Sequence, residues 1–159
     1  MFQQNTPRSS FTEHEQPSAR RQFAGQAILR RYSMLGQTEY QRSLPLFDKY
    51  GGMRALHSVI INFYDRVLDS DIVGPFFDNV DMAKLIDHQM KFFASILGGP
   101  AKYTDQRLVS AHRHMALTNA QFDEVIALLS ETLTEAGFAP DDLSKTLCAV
   151  EARRSLIVR

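Results

Sequence analysis

The sequence predicts an all-α domain, and three observations carry that reading. Apolar residues recur at helical spacing in several long stretches. Glycine and proline punctuate those stretches, most visibly at Gly51-Gly52 and at Gly98-Gly99-Pro100. No run of strand length alternates apolar and polar residues as a half-buried strand would. At 159 residues and 44% hydrophobic, the chain is one domain's worth, long enough to bury a core and to enclose a pocket.

Taken in order, the chain opens with a stretch to about Gln16 that is rich in Gln, Ser, Thr and Pro and is expected to be disordered. From Pro17 to Gln41 a helix is expected, with Ala24, Ile28, Tyr32 and Leu35 on one face and Arg20-Arg21 and Arg30-Arg31 beside them. A basic amphipathic helix of that kind suits a membrane surface or a partner protein; the alternative is a loosely docked extension. Pro45 marks the boundary, so residues 1–44 read as an N-terminal extension and 45–159 as the compact domain.

Within the compact domain, LPLFDKYGG is a short apolar turn closed by two glycines. MRALHSVIINFYDRVLDSD is a helix with Met53, Leu56, Ile60, Tyr64 and Val67 on one face, which turns Tyr64 inward. After Gly74-Pro75, the rings of Phe76 and Phe77 must be buried or must bind something flat. Asp81 caps the next helix, whose stripe is Met82, Leu85, Phe92, Phe93 and Ile96, and the glycine pair at 98–99 ends it. Residues Ala101 to Gln106 read as loop before a short helix that carries His112. Thr118 and Gln121 form a capping box for a helix striped by Phe122, Val125, Leu129 and Leu133 and stopped by Gly137. Pro140 starts the last helix, carrying Leu143, Leu147, Val150 and Ile157. The first and sixth pieces are too short for an ordinary four-helix bundle.

Charge and cysteine usage narrow the function classes. Eighteen basic residues balance eighteen acidic ones. Residues 1–44 hold six Arg against three Glu, and the remainder twelve basic against fifteen acidic groups, so no nucleic-acid patch is read. The lone Cys148 forms no internal disulfide and no zinc pattern, which fits a reducing cytoplasm. No apolar export segment and no spanning run is read, so a cytoplasmic location is expected.

The chemistry concentrates between Asp81 and His114. Gln89 falls in the middle of an apolar stripe, in one arc with Leu85, Phe92 and Ile96, while His88 stands at its edge, about 60° from Leu85. A core-facing amide without a partner costs roughly 1–3 kcal/mol, so something polar should meet Gln89. His112 follows Leu108 and Val109 at i+4 and i+3 and also points inward. An inward histidine facing Phe, Leu and Gln is what a flat apolar cofactor with a central metal needs. Each residue also has a plainer reading. His112 and His57 could be hydrogen-bonded helix histidines, His114 a solvated one, the phenylalanines ordinary core, and Tyr64 a donor to a backbone carbonyl.

Together, INFYDRVL, PFF, VDMAKLIDHQMKFFASILGGP, Tyr103 and AHRHMALTNAQFDEV closely resemble the group I truncated haemoglobins in identity and spacing. The resemblance runs from about residue 46 to 158 and leaves the first 44 residues untouched. It implies a two-over-two helical globin fold around haem b, with the first helix cut short and the helix bearing the proximal ligand reduced to about one turn. It assigns His112 as proximal iron ligand, Phe77 as the ring wedged against the porphyrin, and Phe92 and Phe93 as haem-packing positions. Tyr64 and Gln89 match the distal pair that hydrogen-bonds dioxygen, and Leu85 matches a distal position that is apolar here. At the position of His88, a histidine binds the iron as sixth ligand in some members; a surface histidine near the haem propionates is the other reading, and both stay open.

The resemblance implies reversible binding of O2, NO or CO. Two alternatives remain: an enzyme that converts NO to nitrate with bound dioxygen and a reductase, and a haem-based sensor or docking module that uses the N-terminal extension, residues 1–44, with membrane or protein contact through residues 17–41.

Overall fold

In the computed structural model, residues 43–159 are described continuously, preceded by Arg30, Arg31, Ser33, Met34, Gly36, Glu39, Tyr40 and Gln41, all eight of them helical. The disorder expected to about Gln16 and most of the expected basic helix lie outside the described residues. Contacts divide the chain into two units, Met1–Gln41 and Arg42–Arg159.

Among its described residues, the second unit comprises seven α-helices and one 3-10 turn. In order they are α1 (Leu46–Lys49), α2 (Gly52–Asp69), the 3-10 turn (Gly74–Phe77), α3 (Met82–Ile96), α4 (Asp105–His112), α5 (Asn119–Glu135), α6 (Pro140–Glu151) and α7 (Arg154–Ile157). Helix α2 packs against α3, and α5 against α6; across the two pairs, α2 meets α5 and α3 meets α6. The result is two helix pairs laid one on the other, with α4 and α7 packed together beside them. Between the pairs sit Ile60, Phe63, Val67, Ala94, Leu129 and Leu133, all buried. Among the described residues no helix is long and apolar enough to cross a membrane.

Local chemistry sets the helix ends. The Asp81 carboxylate accepts from the Lys84 backbone amide and so caps α3. Thr118 and Gln121 form the complete capping box at α5. Pro140 occupies the first turn of α6, where its missing N–H costs nothing.

The structure corrects four sequence expectations. Met53 is exposed, because the first turn of α2 projects past the core and only the face from Leu56 onward meets other helices. Helix α4 begins at Asp105, inside the stretch read as loop, and runs two turns rather than one. The Thr104 carbonyl starts it by accepting from the amides of Arg107 and Leu108. Ile157 belongs to α7, not to the helix of Leu143, because α6 stops at Glu151. Phe63 is buried although the Tyr64 stripe omits it; α2 is covered on two sides, by α3 and α5.

Two glycine sites fix the short first helix. Gly51 and Gly52 adopt φ of 90° and 64°, a left-handed pair that reverses the chain from α1 into α2. At Gly99 the need is space: a Cβ there would lie 2.6 Å from the Phe47 ring and 2.9 Å from the Ala94 carbonyl oxygen. The Phe47 amide donates to the Leu97 carbonyl at 2.9 Å, which holds ring and glycine together. Gly99→Ala is therefore expected to destabilise the domain by about 1–3 kcal/mol, read as a lower midpoint in urea.

A buried carboxylate ties the same corner to α6. Asp142 is 5% exposed and accepts from Lys49 Nζ and, at 2.8 Å, from the Tyr50 hydroxyl. That hydroxyl in turn accepts from the Ala139 amide at 2.9 Å, while the Tyr50 ring stacks on Phe138 with centroids 3.8 Å apart. The Lys49 hydrogen bond, foremost, holds the Asp142 carboxyl below its ordinary range, with help from Tyr50 and against the cost of burial. A depressed folded-state pKa stabilises the fold above the unfolded value of about 3.9 and is lost as pH falls through the folded value. Asp142→Asn is thus expected to cost about 1–2 kcal/mol at neutral pH. The gap between parent and variant melting temperatures should close as the pH drops below the unfolded carboxylate value. A gap that stays constant with pH would refute this reading.

Candidate functional site

Three elements converge on Tyr64. The residue sits in the second half of α2, 4% exposed, with its ring against two others in edge-on contact. Phe63 lies 5.2 Å away and Phe77, from the 3-10 turn, 5.7 Å away, centroid to centroid. Burial pushes the Tyr64 hydroxyl well above its ordinary pKa, a hydrogen bond with the Gln89 side chain pulls it back, and Tyr103 adds a small upward push. The phenol is therefore a neutral donor across the physiological range. Gln89, half-buried on α3, finds in this hydroxyl the polar partner that its place in the stripe demands.

A second aromatic group lies further along α3. Phe92 meets Phe93 at 5.3 Å and Tyr103 at 5.3 Å, both edge-on. Phe92 and Phe93 are buried, and Leu85 and Phe77 are partly buried against the same core. The sequence uses Tyr103 only as part of the family resemblance; its place in the loop before α4, with no periodic neighbours, carries no signal of the contact with Phe92.

His112 closes α4, half-buried, with Nδ1 2.8 Å from the Leu108 carbonyl oxygen. A carbonyl can only accept, so Nδ1 is the donor here, and in the neutral ring Nε2 carries the lone pair. Leu108, the one buried residue of α4, anchors this turn in the same core that holds Tyr64, Phe92 and Phe93. The other described histidines are exposed. His88 stands outward on α3 beside Asp87, His57 outward on α2, and His114 accepts from Arg113 Nε at 2.9 Å.

The donor chemistry fits haem. An imidazole with one nitrogen fixed by a backbone carbonyl would meet an iron pre-oriented, through its other nitrogen. Among the described residues no group of three or more His, Cys, Asp or Glu side chains stands together to hold a bare ion. A single imidazole held by the Leu108 carbonyl instead suits an iron whose remaining ligands would come from an apolar macrocycle. Phe92 and Phe93 are buried, and Phe77 and Leu85 partly buried, in the core that also holds Tyr64.

Two helix pairs laid one on the other, with a short helix beside them, define a globin of the two-over-two kind. Residues 45–157 match the bacterial-like globin family. The group 1 truncated hemoglobin of Tetrahymena thermophila is 34% identical over 109 residues, covering 69% of this chain and 90% of that protein. Its counterpart in Synechocystis is 38% identical, covering 66% and 87%. The solved Fe(III) truncated hemoglobin of Tetrahymena pyriformis superposes with a TM-score of 0.66 at 32% identity, over 71% of this chain and 97% of that one. The chain belongs to the bacterial-like globins and, within them, to the group 1 truncated haemoglobins; it is a haem-binding globin.

Proposed function

We propose that this globin binds dioxygen, and NO or CO in its place, reversibly on haem b ligated by His112. The observation that carries the reading is the His112 Nδ1 to Leu108 carbonyl contact at 2.8 Å, which leaves Nε2 as the ligating atom. When bound, haem would supply a ferrous centre for a diatomic gas, a chemistry that favours hydrogen-bond donors beside the bound gas. His112, fixed by α4, would hold the group through its Nε2. Tyr64 donates from its buried hydroxyl, and Gln89 both orients that hydroxyl and offers its own amide. Inside apolar walls, such donors gain strength from the low local dielectric. Phe77 keeps the Tyr64 ring in place from the 3-10 turn, and Leu85 leaves the remaining distal position without a donor.

The test is optical. Ferric, ferrous and ferrous-CO spectra of the purified full chain should show a Soret band and a histidine-ligated ferrous form that shifts with CO. A chain that shows no Soret band after haem addition refutes the reading. The enzyme alternative makes a separate demand: the dioxygen-loaded protein must turn ferric on mixing with NO and cycle only with a reductase present.

A further inference from the structure

Helix α4 is weakly held by its own packing. Of its residues only Leu108 is buried, Val109 and His112 are half-buried, and the remainder are exposed. A groove of about 430 Å³ runs beside it, between Asp105, Gln106, Val109, Ser110 and Arg113 of the helix side and Leu156 of α7. A helix of two turns with one buried anchor does not stand alone in water. Something else must fix the residue at its last position.

The segment 153–159 does so at both ends. At the start of α4, Arg153 Nε donates to Asp105 Oδ1 at 3.0 Å. The same guanidinium donates to the Ala149 carbonyl from α6 at 2.6 Å and lies 5.8 Å from the centroid of Phe92 on α3. Beyond the end of α4, Leu117 pairs with Val158, and the Arg159 amide donates to the Leu117 carbonyl at 3.1 Å. Arg154 secures the strap by gripping Asp123 and the Asn119 side chain of α5, with its guanidinium 4.3 Å from the Phe122 ring centroid. One arginine, Arg153, thus joins the first turn of α4 to α6 and to a ring of the aromatic wall.

We propose that Arg153 is a positioning residue for His112, and that the segment 153–159 is the strap that sets where α4 holds the imidazole. This rests on His112 being the iron ligand. Breaking the Asp105 pair frees the first turn of α4, and because only Leu108 anchors the helix, the loosened turn moves the residue at its other end. Iron–imidazole geometry and haem retention change with it.

The experiment compares the full chain with Arg153→Gln, Asp105→Asn and the charge-exchanged pair Arg153→Glu with Asp105→Arg. Amide hydrogen exchange is read across residues 105–112, and the iron–histidine stretching band and the rate of haem transfer to an acceptor apoprotein are read on the loaded protein. Each single variant should speed exchange in α4 by about 1.5-fold to fivefold, with α2 and α5 unchanged. The stretching band should shift or broaden, haem loss should accelerate by a similar factor, and the exchanged pair should recover part of each change. Exchange that stays at the parent value, or rises equally in every helix, overturns the proposal. So does a loosened α4 with stretching band and haem loss unmoved. Failure of the ligation reading is visible separately, as a parent protein with no iron–histidine band at all.

Discussion

Replacing His112 by alanine is expected to remove the histidine-ligated ferrous spectrum and to weaken haem retention by more than about a hundredfold. Loss of residues that merely orient a metal ligand typically costs about 10–100-fold in affinity, and loss of the ligand itself costs more. The fold should survive. The side chain is half-buried at the last position of α4, and its one intrahelical contact, to the Leu108 carbonyl, is worth about 0.5–1.5 kcal/mol. Leu108, which carries the packing of that helix, is untouched. The far-ultraviolet circular dichroism of the haem-free variant should therefore match that of the haem-free parent. The companion His112→Gly leaves a space the size of an imidazole ring, so millimolar imidazole added to the haem-loaded variant should restore much of the parent spectrum. If either variant keeps the parent's ferrous spectrum without added imidazole, His112 is not the ligand.

The same residue shows what periodicity can read and where it stops. Spacing from Leu108 and Val109 suffices to turn His112 inward, and the stripe of α3 suffices to demand a polar partner for Gln89. Both follow from helical geometry and the cost of an unpaired buried amide. Periodicity turns Tyr64 inward on its own helix, but the pairing of Tyr64 with Gln89 comes from the family resemblance. Contacts between distant segments carry no such period. Nothing in the sequence singles out Arg153, and only the fold brings Asp105 and Phe92 to it. The length of α4 is not legible because no apolar stripe between Ala101 and Arg107 marks a helix; a backbone carbonyl, that of Thr104, starts it. Met53 falls outside the core because periodicity says which face a residue occupies but not how far along the helix that face stays covered.

Tyr64→Phe is expected to raise the O2 dissociation rate by about 10- to 100-fold while leaving CO dissociation within a few-fold. A hydrogen bond to a charged acceptor contributes about 1.5–3 kcal/mol, and a factor of ten in rate corresponds to about 1.4 kcal/mol. The discrimination between gases follows from charge, because bound O2 draws more negative charge from ferrous iron than CO does and gains more from a donor. Phenylalanine keeps the edge-on contacts with Phe63 and Phe77, so the substitution removes a hydroxyl and little else. Gln89→Leu should act in the same direction and less strongly, since it removes the amide and loosens the orientation of the hydroxyl. In the double variant the two effects should fall short of their product, because the side chains act through one shared hydrogen bond. The pH dependence has a definite sign. Burial favours the neutral phenol, so the donor is complete below the ordinary tyrosine value of about 10 and is lost only as pH rises past its higher folded value. The parent O2 dissociation rate should consequently be flat between about pH 6 and 9. A Tyr64→Phe protein that releases O2 within about twofold of the parent would mean that the buried hydroxyl serves packing alone, and the distal assignment would fail while haem ligation by His112 stood.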